Sequence, residues 1–377
     1  MPKKQHFTTR AVKSAEPQLH DIRPVAAPIY LSTTYHRNAD GSYNHGFLYS
    51  RAGNPNRELL EAALADLEGG RVGLAFASGQ AAISAIFQAL KTGDHILLPD
   101  DVYFNIVLLA EEIFSDWGLS YTLVDMTDHG AISAALRPNT RLVWLESPSN
   151  PQLKVTDITA VAQLLSGKDI LLAVDNTWPT PILQRPLELG ADIVMHSTTK
   201  YFGGHSDVLS GAVILKEDGS LAEKLRRIQT LVGGVPSPFD CWLVSRGIQT
   251  LPLRVRAQTE TAAKLAAFLN DHPKIEAVNY PGLPQHPQYA VAQRQMPSGA
   301  GAMLSVLVKG DAEMALKIAS ALRLFTTATS LGGVESLVEH RRSVEGPTST
   351  TPANLLRLSI GLEAYEDLRA DWEQALE

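Results

Sequence analysis

The sequence predicts an α/β protein: a mostly parallel seven-stranded sheet with helices on both faces, followed by a smaller α+β region. Three observations carry this. From about residue 55 to residue 215, short apolar runs alternate with helical stretches, the pattern of buried parallel strands joined by crossover helices. Two of those runs end in polar knots, Asp175-Asn176-Thr177 and His196-Ser-Thr-Thr-Lys200. Neighbouring strands would thus finish at one sheet edge in an acid and in a lysine flanked by hydroxyls. After about residue 250 the alternation gives way to one long helical segment and a second group of strands.

Residues 1–50 are rich in Pro, Thr, Tyr, His and Asn without a sustained period, so an extended arm is expected. Its aromatics, among them Tyr30, Tyr35, Tyr43, Phe47 and Tyr49, suit it to wrapping another subunit. A helix follows from Pro55, because Leu59, Leu60, Ala63, Leu64 and Leu67 share one face and Gly69-Gly70 stops it. The expected strands are 72–76, 95–98, 120–124, 142–145, 170–174, 193–196 and 212–215, with helices at 81–90, 106–114 and 158–165. Beyond them the pattern predicts a helix over 255–269, strands at 277–280, 303–308, 324–327 and 355–360, and helices at 312–322 and 365–376.

Composition narrows the function. The chain has 377 residues, 45% of them hydrophobic and 19% charged, which is ordinary for a protein with a large core. A net charge of −7 argues against nucleic acid, whose phosphates attract clustered Lys and Arg. The one cysteine, Cys241, rules out an intramolecular disulfide and reads as a core residue. His196 and His205 have no third ligand at useful spacing, so no metal is expected. Met1–Phe7 is basic but no apolar stretch follows it. Neither a secretory signal nor a membrane helix is expected, and the location expected is cytoplasmic.

Several residues carry chemistry. Ala77-Ser78-Gly79-Gln80 joins a strand to an apolar helix, where backbone N–H groups and the helix dipole favour an anion such as phosphate. The plainer reading is an ordinary strand–helix turn, and no Gly-Lys-Ser/Thr follows to make a nucleotide loop. Ser197 and Thr199 are further phosphate donors. Lys200 is compatible with three roles: a phosphate ligand, a general base, or an amine forming a Schiff base with pyridoxal phosphate (PLP). Ser197-Thr-Thr-Lys200 also matches a penicillin-binding signature, which fails because Lys91-Thr92-Gly93 precedes it and no Ser-Asp-Asn is present. Asp175 is either a solvated strand-end acid or the partner of a ring nitrogen. Arg357 stands alone in the apolar run Leu355–Ile360, on an exposed strand face or as a clamp for a carboxylate.

An amine, a phosphate cup, an acid and a carboxylate clamp are the parts a PLP enzyme needs. The chain resembles the trans-sulfuration (Cys/Met metabolism) family of PLP enzymes, which includes cystathionine γ-synthase, γ-lyase and β-lyase and methionine γ-lyase. The resemblance runs from about Pro28 to Glu363. Its motifs stand here as Tyr49-Ser-Arg-Ala-Gly-Asn-Pro55, Ala77-Ser-Gly79, Asp100-Asp-Val-Tyr103, Glu146-Ser-Pro-Ser-Asn-Pro151, Val174-Asp-Asn-Thr177, His196-Ser-Thr-Thr-Lys-Tyr201, Gly204-His-Ser-Asp207, Ser330-Leu-Gly-Gly-Val-Glu-Ser336 and Arg357-Leu-Ser-Ile-Gly-Leu-Glu363.

The resemblance implies the fold of the aspartate-aminotransferase-like, fold-type-I PLP enzymes. It implies an arm over 1–51 contacting a neighbouring subunit, a PLP-binding domain over 52–250 and a C-terminal domain over 251–377. It also implies a homotetramer, a dimer of dimers with shared active sites. By matching position, Lys200 would be the Schiff-base lysine, Asp175 the ring-nitrogen partner and Tyr103 the stacking ring. Ser78, Gly79, the Gln80 backbone, Ser197 and Thr199 would hold the phosphate, with Tyr49 and Arg51 completing the cup from the neighbour. Arg357, Ser330 and Asn150, with Glu339 and Tyr49, would bind the substrate. The implied reaction is α,β- or α,γ-elimination on a sulfur-containing, cystathionine-like amino acid. The alternatives are γ-replacement on an O-acyl-homoserine and γ-elimination of another γ-substituted amino acid.

Three departures touch the rim. Phe104-Asn105-Ile106 replaces a small Gly-Gly-Thr-like run. Leu48 stands where γ-synthases and γ-lyases usually place an acid for a distal ammonium, while Glu339 is retained at the other acidic position. Ser343-Val-Glu345 replaces Met-Thr-His.

Overall fold

The structure, a computed structural model, describes residues 5–16, 24–346 and 349–377. Its larger sheet holds β1 (Val72–Phe76), β2 (His95–Pro99), β3 (Ser120–Val124), β4 (Thr140–Glu146), β5 (Leu171–Asp175), β6 (Ile193–His196) and β7 (Gly211–Leu215). The order is β1-β7-β6-β5-β4-β2-β3. β2 to β6 pair in parallel, while β7 is antiparallel to both β6 and β1. β1 therefore runs the same way as β4, β5 and β6. All four deliver their C-terminal residues to one edge, and that edge holds the site.

Alternate strand residues feed two different cores. Phe76, Leu98, Trp144 and Met195 enter one, while Ala75, Leu97, Leu145, Val174 and Val194 enter the other. Both faces are covered, so the strands read as unbroken apolar runs rather than as alternations.

The second sheet holds β8 (Ile275–Asn279), β9 (Met303–Val308), β10 (Thr326–Thr327), β11 (Leu337–Glu339) and β12 (Leu355–Ser359), in the order β10-β11-β12-β9-β8. Its central strands pack onto the same core as the inner face of the larger sheet, through Leu304, Val306, Leu356 and Leu358. A 33-residue helix, Pro238–Asn270, links the two sheets and runs through residue 250. It opens on a capping box between Ser237 and Asp240, with Pro238 in the first turn. At Gly247 an added Cβ would lie 2.2 Å from the Phe202 carbonyl oxygen, so only glycine lets the helix press against the loop that follows Lys200. Arg254, seven residues on, donates to the Tyr201 carbonyl at 2.8 Å and pins that loop from below.

Several elements differ from the expectation. The arm carries a helix, Phe7–Lys13, whose Ala11 is fully buried, although too few apolar residues recur there to show a period. The expected helix 255–269 begins at 238, because Pro252 reads as a breaker in sequence yet is carried inside the helix. β11 was not expected, since three residues after a Gly-Gly turn give no alternation to read. The stretch 106–114 is helical as expected, but it starts at Phe104 and its second half, Leu109–Phe114, is π-helical.

Candidate active site

The edge formed by the C-terminal ends of β1, β4, β5 and β6 opens into a cavity of about 330 Å³. Eleven of the expected residues meet in its wall: Ser78, Gly79, Gln80, Tyr103, Asn150, Asp175, Ser197, Thr199, Lys200, Ser330 and Arg357. Most come from strand ends or the loops directly behind them. The cavity is therefore held by the sheet itself.

The phosphate-sized corner lies at the start of the helix Gly79–Gln88. Ser78 caps it by accepting from the Ala81 N–H at 3.1 Å. A Cβ on Gly79 would sit 3.0 Å from the Ser197 Cβ, and one on Gly211 would lie 2.2 Å from the Ser78 carbonyl oxygen. The two glycines bring the helix N-terminus close against the Ser197 loop, leaving N–H groups of the first turn facing the cavity. The Thr199 hydroxyl donates to the Ser210 carbonyl at 3.0 Å and accepts from the Ser210 N–H at 2.9 Å. Its proton is committed, so as posed Thr199 shapes the corner rather than donating into it.

Lys200 donates from Nζ to the Ser330 hydroxyl at 2.6 Å. Burial lowers its ammonium to about 8, helped by the nearby Arg357 guanidinium. Asp175 is raised by burial, against hydrogen bonds from Thr177 and the pull of His196. Thr177 N–H reaches Asp175 Oδ1 at 2.9 Å and fixes the carboxylate in the cavity. Burial also keeps the Tyr103 phenol protonated. Its ring is positioned from both ends: its N–H donates to Glu146 Oε2 at 2.9 Å, and its hydroxyl accepts from Asn105 Nδ2 at 2.9 Å.

Arg357 lies on β12, nearly buried, and burial brings it down to about 10, still protonated at neutral pH. It donates to Asn150 Oδ1 at 3.1 Å and the Ser330 carbonyl at 3.0 Å, and it pairs with Glu339. Glu339 faces Arg357 across the β11–β12 ladder. Its Oε2 takes both Arg357 and Arg341, and it does not belong to the cavity wall. The structure therefore places Glu339 behind the guanidinium rather than open to a substrate ammonium.

Tyr49 and Arg51 also lie off this wall. Arg51 is bonded to the Thr230 carbonyl at 2.7 Å and stacked over the Tyr49 ring at 5.5 Å. Tyr49 and Leu48 are exposed, as is Leu209, which lines the open side of the cavity.

Among the charged wall residues, sequence reasoning assigned no role to Glu146 or Arg341. Glu146 ends β4 directly opposite Asp175, and burial together with that neighbouring carboxylate raises it well above the usual range. Its place at a strand end beside Asp175 was readable from the spacing. Arg341 was not, because it follows a strand too short to see, whereas Val344 and Glu345 belong to the rim stretch Ser343-Val-Glu345 singled out in the sequence and both line the wall. His196 is held elsewhere, 2.5 Å from Glu68 with both side chains fully buried. Cys241 is a core residue whose thiol burial pushes up.

The cradle at Gly79, the acid on one wall and the lysine on the other fit a flat phosphorylated ring carrying an aldehyde. Residues 8–377 match the model of the Cys/Met metabolism PLP-dependent enzymes. The chain belongs to that family. It is 45% identical to cystathionine γ-synthase of Mycobacterium tuberculosis, over 93% of this chain and 92% of that one. It is 44% identical to cystathionine γ-lyase of Mus musculus, over 100% of this chain and 96% of that one. The crystal structure of metB from Corynebacterium glutamicum matches with a TM-score of 0.96 at 44% identity, covering 100% of this chain and 99% of that one. The chain is thus a PLP-dependent trans-sulfuration enzyme, a lyase or transferase of small amino-acid substrates, with the fold of type-I PLP enzymes. Relatives of equal similarity are named for replacement and for elimination, so family membership alone does not choose between them.

Proposed function

We propose that the enzyme removes a substituent from Cγ of an amino acid by α,γ-elimination, leaving a 2-oxo acid and ammonia. The observation that carries this is the placement of Lys200. Its Nζ bonds to Ser330 beside the Arg357 clamp, so one amine serves both the Cα and the Cβ of a substrate held by its carboxylate. A second reading, γ-replacement on an O-acyl-homoserine, is supported by the 45% identity to a γ-synthase and by the pairing of Glu339 with Arg357, which takes that carboxylate from cystathionine's far ammonium.

Bound PLP supplies an aldehyde that takes up amines covalently and a protonated ring that accepts the electron pair left at Cα. The rest falls to this chain's residues. Ser78, Gly79, the Gln80 backbone and Ser197 hold the phosphate, with Thr199 shaping that corner. Asp175 keeps the ring nitrogen protonated, an ion pair that offsets its own burial. Tyr103 covers the ring face. Arg357 takes the substrate carboxylate, oriented by Asn150, Ser330 and Glu339. Lys200, its amine free and lowered to about 8, removes the Cα proton and then moves a proton at Cβ so that the Cγ substituent can leave.

The arm (1–51), the PLP-binding domain (52–250) and the C-terminal domain (251–377) are part of this proposal. So are a cytoplasmic location and a homotetramer built from dimers. In the dimer, Tyr49 and Arg51 would reach the neighbour's phosphate corner. The exposure of both residues and of Leu209 on the cavity rim supports this. The test is product identification with purified holoenzyme, using cystathionine, homocysteine, methionine and O-acyl-homoserines. The proposal expects 2-oxobutyrate, with cystathionine formed as well when cysteine is added to an ester. Pyruvate as the oxo acid would move the chemistry to Cβ.

A further inference from the structure

A second cleft, of about 680 Å³, lies where the helix Phe7–Lys13 meets the stretch 181–189, and it shares no wall residue with the cavity around Lys200. Its wall draws four arginines from four separate segments. They are Arg10 of the N-terminal helix, Arg185 in the connection from β5 to β6, Arg256 of the 33-residue helix and Arg294 of the helix Tyr289–Gln295. The whole chain carries a net charge of −7, yet this wall holds a single carboxylate, Glu188. Its other titratable group is His6, whose Nδ1 accepts from the Thr8 N–H at 3.3 Å. Folding, rather than a local run of basic residues, gathers these cations.

Each guanidinium keeps N–H groups that have no partner among the described residues. Arg10 is held through Nη1, by Asp66 Oδ2 at 2.8 Å and the Asp66 carbonyl at 2.5 Å. Its side chain is only 10% exposed, its Nε is buried without a partner, and its Nη2 is unpaired. Arg185 spends Nη1 on Glu188 at 2.8 Å and Nη2 on the Leu67 carbonyl at 3.1 Å, which leaves Nε. Arg294 spends only Nη2, on Asp157. Arg256 is exposed and makes no hydrogen bond or ion pair with any described residue. Three acids thus face four cations, and two of those acids, Asp66 and Asp157, stand outside the wall. The guanidiniums of Arg10 and Arg185 each lie 5.5 Å from the centre of the Phe7 ring, which fixes both at the cleft. Like charges gathered in this way repel, and an anion between them relieves the repulsion.

The donor set also indicates which anion. Guanidinium forks bond phosphate oxygens in pairs. A terminal phosphate offers three strong acceptor oxygens in different directions, whereas a carboxylate offers two in one plane. Forks arriving from four segments therefore suit phosphate better. Ser298 is exposed in the same wall, and its hydroxyl has no partner among the described residues. The cleft has about twice the volume of the active-site cavity, enough for more than one phosphate. We propose that it is a binding site for a small polyanion with linked phosphates, a di- or triphosphate, separate from the site of catalysis.

The probe is inorganic pyrophosphate, titrated by calorimetry into PLP-loaded enzyme at physiological ionic strength, where weak surface pairing is screened. Bound PLP keeps the probe out of the phosphate corner at Gly79. Binding should saturate at one pyrophosphate per chain, at least about ten-fold tighter than orthophosphate or citrate. Arg256→Ala breaks no bond within the fold and should weaken pyrophosphate by about ten-fold or more, with Arg256→Lys recovering part of the loss. Arg294→Ala should weaken it as well. Circular dichroism checks that each variant is folded. The absence of saturable binding, or affinity unchanged in both alanine variants, would overturn the site. Orthophosphate or citrate binding as tightly as pyrophosphate would overturn the ligand class.

Discussion

The floor of the cavity and its rim are built on different principles. The floor is made of strand ends: Glu146, Asp175 and the Ser197–Lys200 turn follow directly from β4, β5 and β6, and ladder hydrogen bonds set their spacing. The rim is made of loops and one short helix, held by the chain of ion pairs Glu345–Arg341–Glu339–Arg357. A strand end has one place to go, so chemistry anchored there keeps its geometry. A rim of side-chain pairs can change occupants while the sheet beneath stays the same. Here the floor carries what a PLP enzyme needs, and the rim carries what distinguishes this chain.

If that division holds, substitutions in the floor should abolish the reaction and those in the rim should redirect it. The largest effect belongs to Lys200→Ala, which removes the proposed general base and should lower kcat by at least about 10²–10⁴-fold, with the fold and oligomeric state unchanged by circular dichroism and gel filtration. A variant within ten-fold of wild type would mean another base operates.

Next in size is the shared-site claim. Arg51→Ala and Lys200→Ala homomers should each be nearly inactive. Refolded mixtures should regain part of the wild-type rate, because some hybrid sites receive both intact residues. No recovery in confirmed hybrids would assign the arm to its own subunit.

How much of this was legible follows the same division. All eleven strand and helix expectations in the sheet region lie within a few residues of the elements found, because both faces of the sheet are buried and the apolar runs are unbroken. Lys200, Asp175 and the Gly79 turn were readable because each closes such a run. Arg357 was readable as a lone charge in an apolar strand. Glu339 was expected to bind substrate, and its pairing with Arg357 and Arg341 was not legible, since the sequence cannot show which face of a three-residue strand meets Arg357. Arg341 and Glu345 carry no periodic signal. Their meaning lies in pairings that only folding brings together.

A rim substitution should act more gently. Leu48→Glu places a carboxylate on the exposed arm beside Tyr49, where a neighbouring site would meet a far-end ammonium. It should raise kcat/KM for cystathionine by about ten-fold relative to an O-acyl-homoserine, leaving PLP affinity unchanged. An unchanged ratio would show that the arm does not reach the substrate's far end.

The smallest effect separates burial from function. Burial holds the Lys200 ammonium of the PLP-free protein at about 8, well under its ordinary 10.5. The folded state therefore favours the neutral amine. Its penalty is full below pH 8 and fades as pH rises from 8 towards 10.5. PLP-free Lys200→Met should melt a few degrees above PLP-free wild type at pH 7, with the gap closing towards pH 10. A gap that stays constant with pH would place Lys200 in a more solvated setting.

The measurement that tests the account most directly is where the cofactor is attached. Borohydride reduction of PLP-loaded enzyme, followed by digestion and mass spectrometry, should find the pyridoxyl group on the peptide containing Lys200. A group fixed on any other lysine would contradict the assignment of the whole cavity floor.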